Sequence, residues 1–145
     1  IAPGLHFSGR IPRVTAAETG DPHLVLQDPA TGAMQPDSFQ DDAALAIETT
    51  RGLVILLGCA HAGLVNTVRH FLDILGPQHV HAIVGGTHLG PAGDTQFSET
   101  VDYLARLKVD RLGLAHCTGQ IRAAQLYARF PQKVFFAAVG ACLEA

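Results

Sequence analysis

Strand-length apolar runs break into glycine-bearing turns at three near-equal intervals, and each turn carries one histidine. Leu56-Leu57-Gly58-Cys59-Ala60 leads into His61-Ala62-Gly63. Ile83-Val84-Gly85-Gly86-Thr87 leads into His88-Leu89-Gly90, and Leu112-Gly113-Leu114-Ala115 into His116-Cys117-Thr118-Gly119. The histidines stand 27 residues apart (61 to 88) and then 28 (88 to 116). That length holds one strand, one turn and one helix, so the period constrains this part of the chain to consecutive βα units. In such units ligands bind beyond the carboxyl ends of the strands, where turns distant in sequence converge. The repeat therefore predicts three imidazoles at one edge of a sheet, and neutral imidazole is the commonest protein metal ligand.

The residues between the turns fit this frame. Leu64, Val65, Val68, Phe71, Leu72 and Leu75 follow helical spacing and stop at Gly76-Pro77. Val80 to Val84 reads as a strand, Phe97, Val101, Leu104 and Leu107 mark a helix, and Arg111 to Ala115 is a strand. Ile121 to Phe130 is a third helix, ended by Pro131, and Val134 to Val139 a last strand. Upstream, Ala44 to Thr49 and Leu53 to Leu57 form a hairpin around Thr50-Arg51-Gly52. The second of these strands is apolar throughout, as expected where both faces of a sheet are covered. Residues 1–42 are punctuated by Pro3, Pro12, Pro22, Pro29 and Pro36 and predict short strands in loops, with candidates at Arg13 to Thr15 and Leu24 to Gln27. The expected organisation is a single domain or half-domain over 1–145: loop-rich strands over 1–42, then the hairpin and alternating β/α over 43–145.

Composition narrows the function classes. With 10 basic and 13 acidic side chains mixed along the chain, no basic stripe marks a nucleic-acid partner. The mean hydropathy is +0.22 with 48% hydrophobic residues, yet no run reaches the ~20 apolar residues of a membrane span. The excess apolar character must be buried in a core or against a partner. Cys59, Cys117 and Cys142 are odd in number and widely spaced, which predicts free thiols and a cytoplasmic setting. Ile1-Ala2-Pro3-Gly4 has no charged and apolar leader pattern, so no secretory signal is expected, and the absence of an opening Met suggests a processed chain or a fragment.

Any one histidine in a turn is more often solvated or a cap than a ligand; three in equivalent turns, each followed within three positions by Gly63, Gly90 or Gly119, favour a site. His79 and His81 resemble a metal pair. They begin the strand whose far end leads to His88, more than about 15 Å away at ~3.3 Å per residue, and are read as surface residues. His70 falls on a helix among apolar neighbours, and His6 and His23 have no raising context. His116-Cys117-Thr118-Gly119-Gln120-Ile121-Arg122 approaches the phosphate loop of cysteine phosphatases, in which a thiolate and an arginine cradle a phosphate at a helix N-terminus. Those enzymes set five residues between the two, whereas here four intervene, Thr118 to Ile121.

Several motifs together resemble the metallo-β-lactamase superfamily: Phe7-Ser8-Gly9-Arg10-Ile11-Pro12-Arg13, Asp41-Asp42-Ala43-Ala44-Leu45, Gly52-Leu53-Val54, Gly58-Cys59-Ala60-His61-Ala62-Gly63-Leu64-Val65-Asn66-Thr67, Val84-Gly85-Gly86-Thr87-His88-Leu89 and His116-Cys117-Thr118-Gly119. Within it, they are most similar to the branch of the dihydropterin-ribofuranosyl-aminobenzene-phosphate synthases. The resemblance implies an α/β fold, the C-terminal half of an αββα sandwich, with a mixed sheet and helices on one face. It implies metal ligation by His61 and His116, with His88 standing where many members carry a bridging aspartate; Asp94 compensates only if its loop folds back. It implies one or two divalent ions, foremost Zn, with Fe or Mn as alternatives. Thr118 and Gly119 are expected to offer N–H groups to a small anionic substrate. Asp41 and Asp42 are expected as outer acceptors for a ligand histidine or as structural groups at the strand start. Cys59 and Cys117 flank the site and are expected either to tune it or, the favoured reading, to be simple filling.

The superfamily's first motif, His-x-His-x-Asp-His, is absent from residues 1–60. The expectation is therefore an N-terminal half supplied as a separate chain, a cleaved segment or unrecorded residues, without which one sheet face lies bare. The implied activity is that of a metal-dependent hydrolase, in which a metal-activated water attacks a phosphate ester or related small molecule. The alternatives are a non-catalytic binding or assembly half-domain, and a phosphatase using Cys117.

Overall fold

A computed structural model describes residues 2–145. The chain runs β1 (Leu5–Phe7), β2 (Val25–Gln27), β3 (Met34–Pro36), β4 (Ala44–Thr49), β5 (Gly52–Leu57), α1 (Leu64–Leu75), β6 (Val80–Gly86), α2 (Asp94–Leu107), β7 (Arg111–Ala115), a 3-10 turn (His116–Thr118), α3 (Gln120–Arg129) and β8 (Val134–Phe136). Six strands form one mixed sheet in the order β1-β4-β5-β6-β7-β8, and β2 and β3 form a separate hairpin. The β4–β5 hairpin is antiparallel, and from β5 onward each strand pairs in parallel with the next.

A parallel neighbour demands a crossover, and α1, α2 and α3 supply the three. Because the strands are sequential and such crossovers are right-handed, all three helices lie on one face. Between them and the sheet sit Leu53, Ile55, Ile83 and Leu112 from the strands and Val68, Phe71, Leu104 and Leu126 from the helices, all nearly or fully buried. Burying a side chain such as Phe71 contributes about 1.5–3 kcal/mol. The register places Leu45 opposite Leu56, Ile47 opposite Val54, Leu56 opposite Val84 and Gly113 opposite Phe135. These residues alternate with the core positions and so form the helix-free face. Leu45, Ile47, Leu56, Val84 and Phe135 are half-buried there, beside Phe7, which is 56% exposed. The face is apolar, as the mean hydropathy requires.

The hairpin, the parallel strands and the helices fall where the spacing predicts them. β6 continues two residues beyond Val84, through Gly85 and Gly86, and α2 begins at Asp94 rather than Phe97, because its first turn is polar and carries no apolar period. Arg13 to Thr15 is not a strand: the N–H groups of Val14 and Thr15 donate to Asn66 Oδ1 of α1, at 3.0 and 2.9 Å, instead of to a neighbouring strand. β8 stops at Phe136, three residues short of Val139. No described helix is long and apolar enough to cross a membrane.

Candidate metal centre

Because β5, β6 and β7 are parallel, the turns that follow them share one edge of the sheet. They also touch. Gly86 N–H donates to Gly58 O at 3.0 Å and Gly90 N–H to Cys117 O at 3.1 Å. A Cβ on Gly86 would lie 2.7 Å from both Cys117 Sγ and Gly58 O, so the turns close only with glycine there. Among the described residues, the non-glycine positions with positive φ are Phe39, Ala60, His88, Lys108 and His116. Lys108 ends α2, whereas the other four gather at this edge. Two of the three turn histidines, His88 (φ 49°) and His116 (φ 46°), are thus held in a conformation that costs energy. Such strain persists only where the surroundings impose it, and it concentrates at functional sites.

The side chains form two adjoining groups. In the first, the rings of His61 and His88 lie 4.2 Å apart, tilted by 53°, and Phe39 stacks on His61 at 4.2 Å and 4°. His61 Nδ1 and both ring nitrogens of His88 are buried without a hydrogen-bond partner. Asp21 Oδ2 stands 3.5 Å from His88 Nε2, too long for a good hydrogen bond. Burial holds His88 below the usual imidazole range and neighbouring His61 pushes it further down, with Asp21 partly opposing. Both effects favour neutral imidazole, the form that ligates a metal.

In the second group, Cys59, His116 and Cys117 bring their donor atoms within 4.8 Å of one another. Cys59 Sγ lies 3.3 Å from His116 Nδ1, while Cys117 Sγ donates to Cys59 O at 3.3 Å and accepts from His88 N–H at 3.2 Å. Cys117 thus ties the two groups together. Among the described residues the three imidazoles do not themselves gather within 4.8 Å. His61 and His88 meet, and His116, an exposed side chain, joins the thiols.

No family model matches the chain. Over 98 residues, 68% of its length, it is 36% identical to 7,8-dihydropterin-6-methyl-4-(β-D-ribofuranosyl)-aminobenzene-5′-phosphate synthase of Methanocaldococcus jannaschii, a match that covers 33% of that protein. Its whole length superposes, with a TM-score of 0.84 and 26% identity, on 55% of a solved metal-dependent hydrolase of the β-lactamase superfamily. The chain belongs to the metallo-β-lactamase superfamily. It spans about a third of the curated relative it matches and just over half of the solved hydrolase.

For a member of this superfamily the question is whether the residues present fit a metal. They do: an unpartnered buried imidazole nitrogen is costly unless a ligand takes it, and His61 and His88 offer three such atoms in ring contact. Imidazole and thiol together form a donor set for borderline-soft ions.

The supporting residues divide clearly. Asp42 Oδ2 accepts from Ala62 N–H at 2.8 Å, fixing the backbone one residue past His61, while Asp41 lines the open cavity beside His61. Buried Thr118 accepts from Thr87 Oγ1 at 3.0 Å, and Gly119 N–H donates to His116 O at 3.2 Å. Both groups therefore brace the turns, and the Gly119 N–H is already taken. Asp94 does not fold back; its carboxylate is exposed and bonds Arg122 at 2.8 Å. That bond also removes Arg122 from Cys117, whose thiol burial pushes up to about 11, so neither the low-pKa thiol nor the arginine of a cysteine phosphatase is present. His81 is not a surface residue: its side chain is 8% exposed and, with His79, it meets Asp110.

Sequence reasoning missed the loop residues that complete this edge. A cleft of about 310 Å³ is lined by Glu18, Asp21, His23, His61, His88 and Gln96 among others. Glu18 is 2% exposed and accepts from Val65 N–H and Asn66 N–H, both at 2.8 Å, capping α1 where the helix has no side-chain cap of its own. Arg13 donates to Glu18 O at 3.3 Å and to His61 O at 2.7 Å. The only sequence signal was charge in a Gly/Pro-rich stretch, which has no period to read.

Proposed function

We propose that the chain carries the late ligands of a metal-dependent hydrolase that holds one or two divalent ions, foremost Zn, through the His61–His88 pair and the adjoining His116 group, and acts on a small anionic substrate such as a phosphate ester. The observation that carries this reading is the pair of buried, unpartnered imidazoles at strained turns on the carboxyl edge of a parallel sheet. A bound divalent ion supplies Lewis acidity and an activated water nucleophile. The chain's own residues hold and orient: Asp42 and Arg13 fix the His61 turn on either side, and the Cys117 thiol fixes His88 N–H. His23, in the cleft beside His61 and His88, offers a donor to an anion. The reading includes a cytoplasmic setting and a second half-sandwich, carrying the remaining ligands, seated on the apolar helix-free face. Support for that half comes from the half-buried Leu45, Ile47, Leu56, Val84 and Phe135 and from the fact that the solved hydrolase has nearly twice the matched length.

The test is metal analysis of the purified full protein after Zn2+ reconstitution, beside hydrolysis of an aryl phosphate. His61→Ala and His88→Ala are expected to lose bound metal and, with it, hydrolysis; chelation of the parent protein is expected to abolish turnover and Zn2+ to restore it. Metal retained at full occupancy in both variants overturns the site, and bound metal without hydrolysis overturns the reaction class. The relative from Methanocaldococcus jannaschii is named a synthase, which makes the second outcome informative.

A further inference from the structure

The parallel sheet has a second edge, and histidines gather there too. His79 precedes β6 and His81 is its second residue, so the two project to the same side of an extended segment. Asp110 precedes β7, the next strand, and the pairing of Ala82 with Arg111 brings it alongside. Its Oδ2 lies 2.7 Å from His79 Nε2 and 3.1 Å from His81 Nδ1. All three donor atoms lie within 4.8 Å of one another. We propose that His79, His81 and Asp110 form a second divalent-cation site, for an ion of the Zn2+, Ni2+ and Cu2+ class, at the opposite edge of the sheet from the three turns.

The donor set selects the ion. Two imidazoles and one carboxylate suit borderline transition-metal ions, whereas Mg2+ and Ca2+ want oxygen. Three protein ligands leave at least one position for water, as in open zinc sites. The scaffold is preorganised on the strand side: the His79 carbonyl accepts from Leu53 N–H at 2.8 Å, and its ring packs on Gly52, where a Cβ would stand 2.9 Å from His79 Cδ2. His81 is 8% exposed with its other nitrogen 3.4 Å from Glu144 O, a partner that orients the ring. His79 and Asp110 are about half exposed, which gives an ion its route in. Arg51 and Arg111 share the groove with His81 and oppose a cation while Glu144 favours one, so affinity rests mainly on the donor geometry. The distance from His81 to His88, seven residues along an extended strand, is roughly 20 Å, which makes the two sites independent.

The probe is Ni2+ alone, titrated into the isotopically labelled full chain, with paramagnetic broadening of backbone amides as the readout. Amides of residues 51–53, 79–82 and 110–112 are expected to broaden. His79→Gln and Asp110→Asn, both at partly exposed side chains, are each expected to weaken that response by at least ~10-fold, while His61→Ala leaves it unchanged. Broadening confined to the three-turn edge, or an unchanged response in both variants, overturns the proposal and leaves Asp110 as a clamp between β6 and β7 only. A melting curve on each variant, matching the parent, attributes the loss to the ligand rather than to unfolding.

Discussion

Glu18→Ala is the most informative single perturbation of the fold, because this carboxylate caps a helix from a loop 47 residues upstream in the Val65 bond. In the parent, two N–H groups of the first turn of α1 donate to Glu18 at 2.8 Å, and the residue is 2% exposed. Truncation orphans both. Each unsatisfied buried N–H costs about 1–3 kcal/mol, and relief from burying a charge offsets part of the sum, which gives a net loss of about 2–4 kcal/mol. For a chain of this size a kcal/mol is about 2–4 °C in Tm, so the expected shift is roughly 4–16 °C downward. Glu18→Gln retains one acceptor oxygen and is expected to fall between. The pH dependence has a definite sign. Desolvation raises the Glu18 pKa above its ordinary 4.5, more than its hydrogen bonds with Val65 and Asn66 lower it. The folded state therefore binds the proton more tightly than the unfolded state. That contribution is fully present below the unfolded pKa and is lost as pH rises through the folded value. Relative to Glu18→Gln, the parent should lose stability over that window and show no further divergence above it. Denaturant melts of the three proteins across the acidic range measure both effects. A Glu18→Ala shift under ~2 °C refutes the capping argument, and a parent that gains on Glu18→Gln as pH rises refutes the claim that burial of the carboxylate outweighs its N–H bonds.

Gly86→Ala is expected to separate the three turns, since its Cβ meets Cys117 Sγ and Gly58 O at 2.7 Å; overpacking of this kind costs about 1–3 kcal/mol, and metal analysis should show the centre weakened with it. Thiol labelling near neutral pH should modify exposed Cys142 first and leave Cys117 slow, because burial pushes the Cys117 thiol up to about 11; equal rates would contradict its placement. Phe39→Ala removes the ring stacked on His61 and is expected to lower metal affinity with little change in Tm, read by competition with a chromogenic chelator. Asn66→Ala leaves the N–H groups of Val14 and Thr15 without their acceptor, and limited proteolysis should then cut at Arg13 sooner than in the parent.

Much of this architecture was legible because parallel strands that pack helices on one face and carry a second apolar face have to be apolar throughout, and their helices have to be amphipathic. Val54-Ile55-Leu56 and the Leu64 to Leu75 spacing carry that requirement in the residues themselves. The shared edge followed from the period of the histidines. Their exact partnership did not, because His116 sits in a 3-10 turn with positive φ that sends it toward Cys59 and away from the His61–His88 pair. Asp21, Glu18 and Arg13 act from a loop with no period, and their roles exist only once α1 is in place. Asp110 was equally hidden. The distance along β6 correctly separated His79 and His81 from His88, but the carboxylate that joins them arrives through strand pairing between β6 and β7.

The two features that look like defects have one explanation on the proposed reading. A sheet covered by helices on one side only leaves Leu45, Ile47, Leu56 and Val84 half-buried, and the edge of that sheet leaves three imidazole nitrogens without partners. A second half-sandwich on the bare face would meet this edge at the three turns and bring its own ligands beside His61 and His88. Burial of the face and completion of the centre then become one event, so metal should stabilise the assembled protein by more than it stabilises this chain alone. The measurement is the Zn2+-induced Tm shift of the chain with and without the covering half. Equal shifts would mean that the centre is complete within residues 2–145 and that the bare face has a different use.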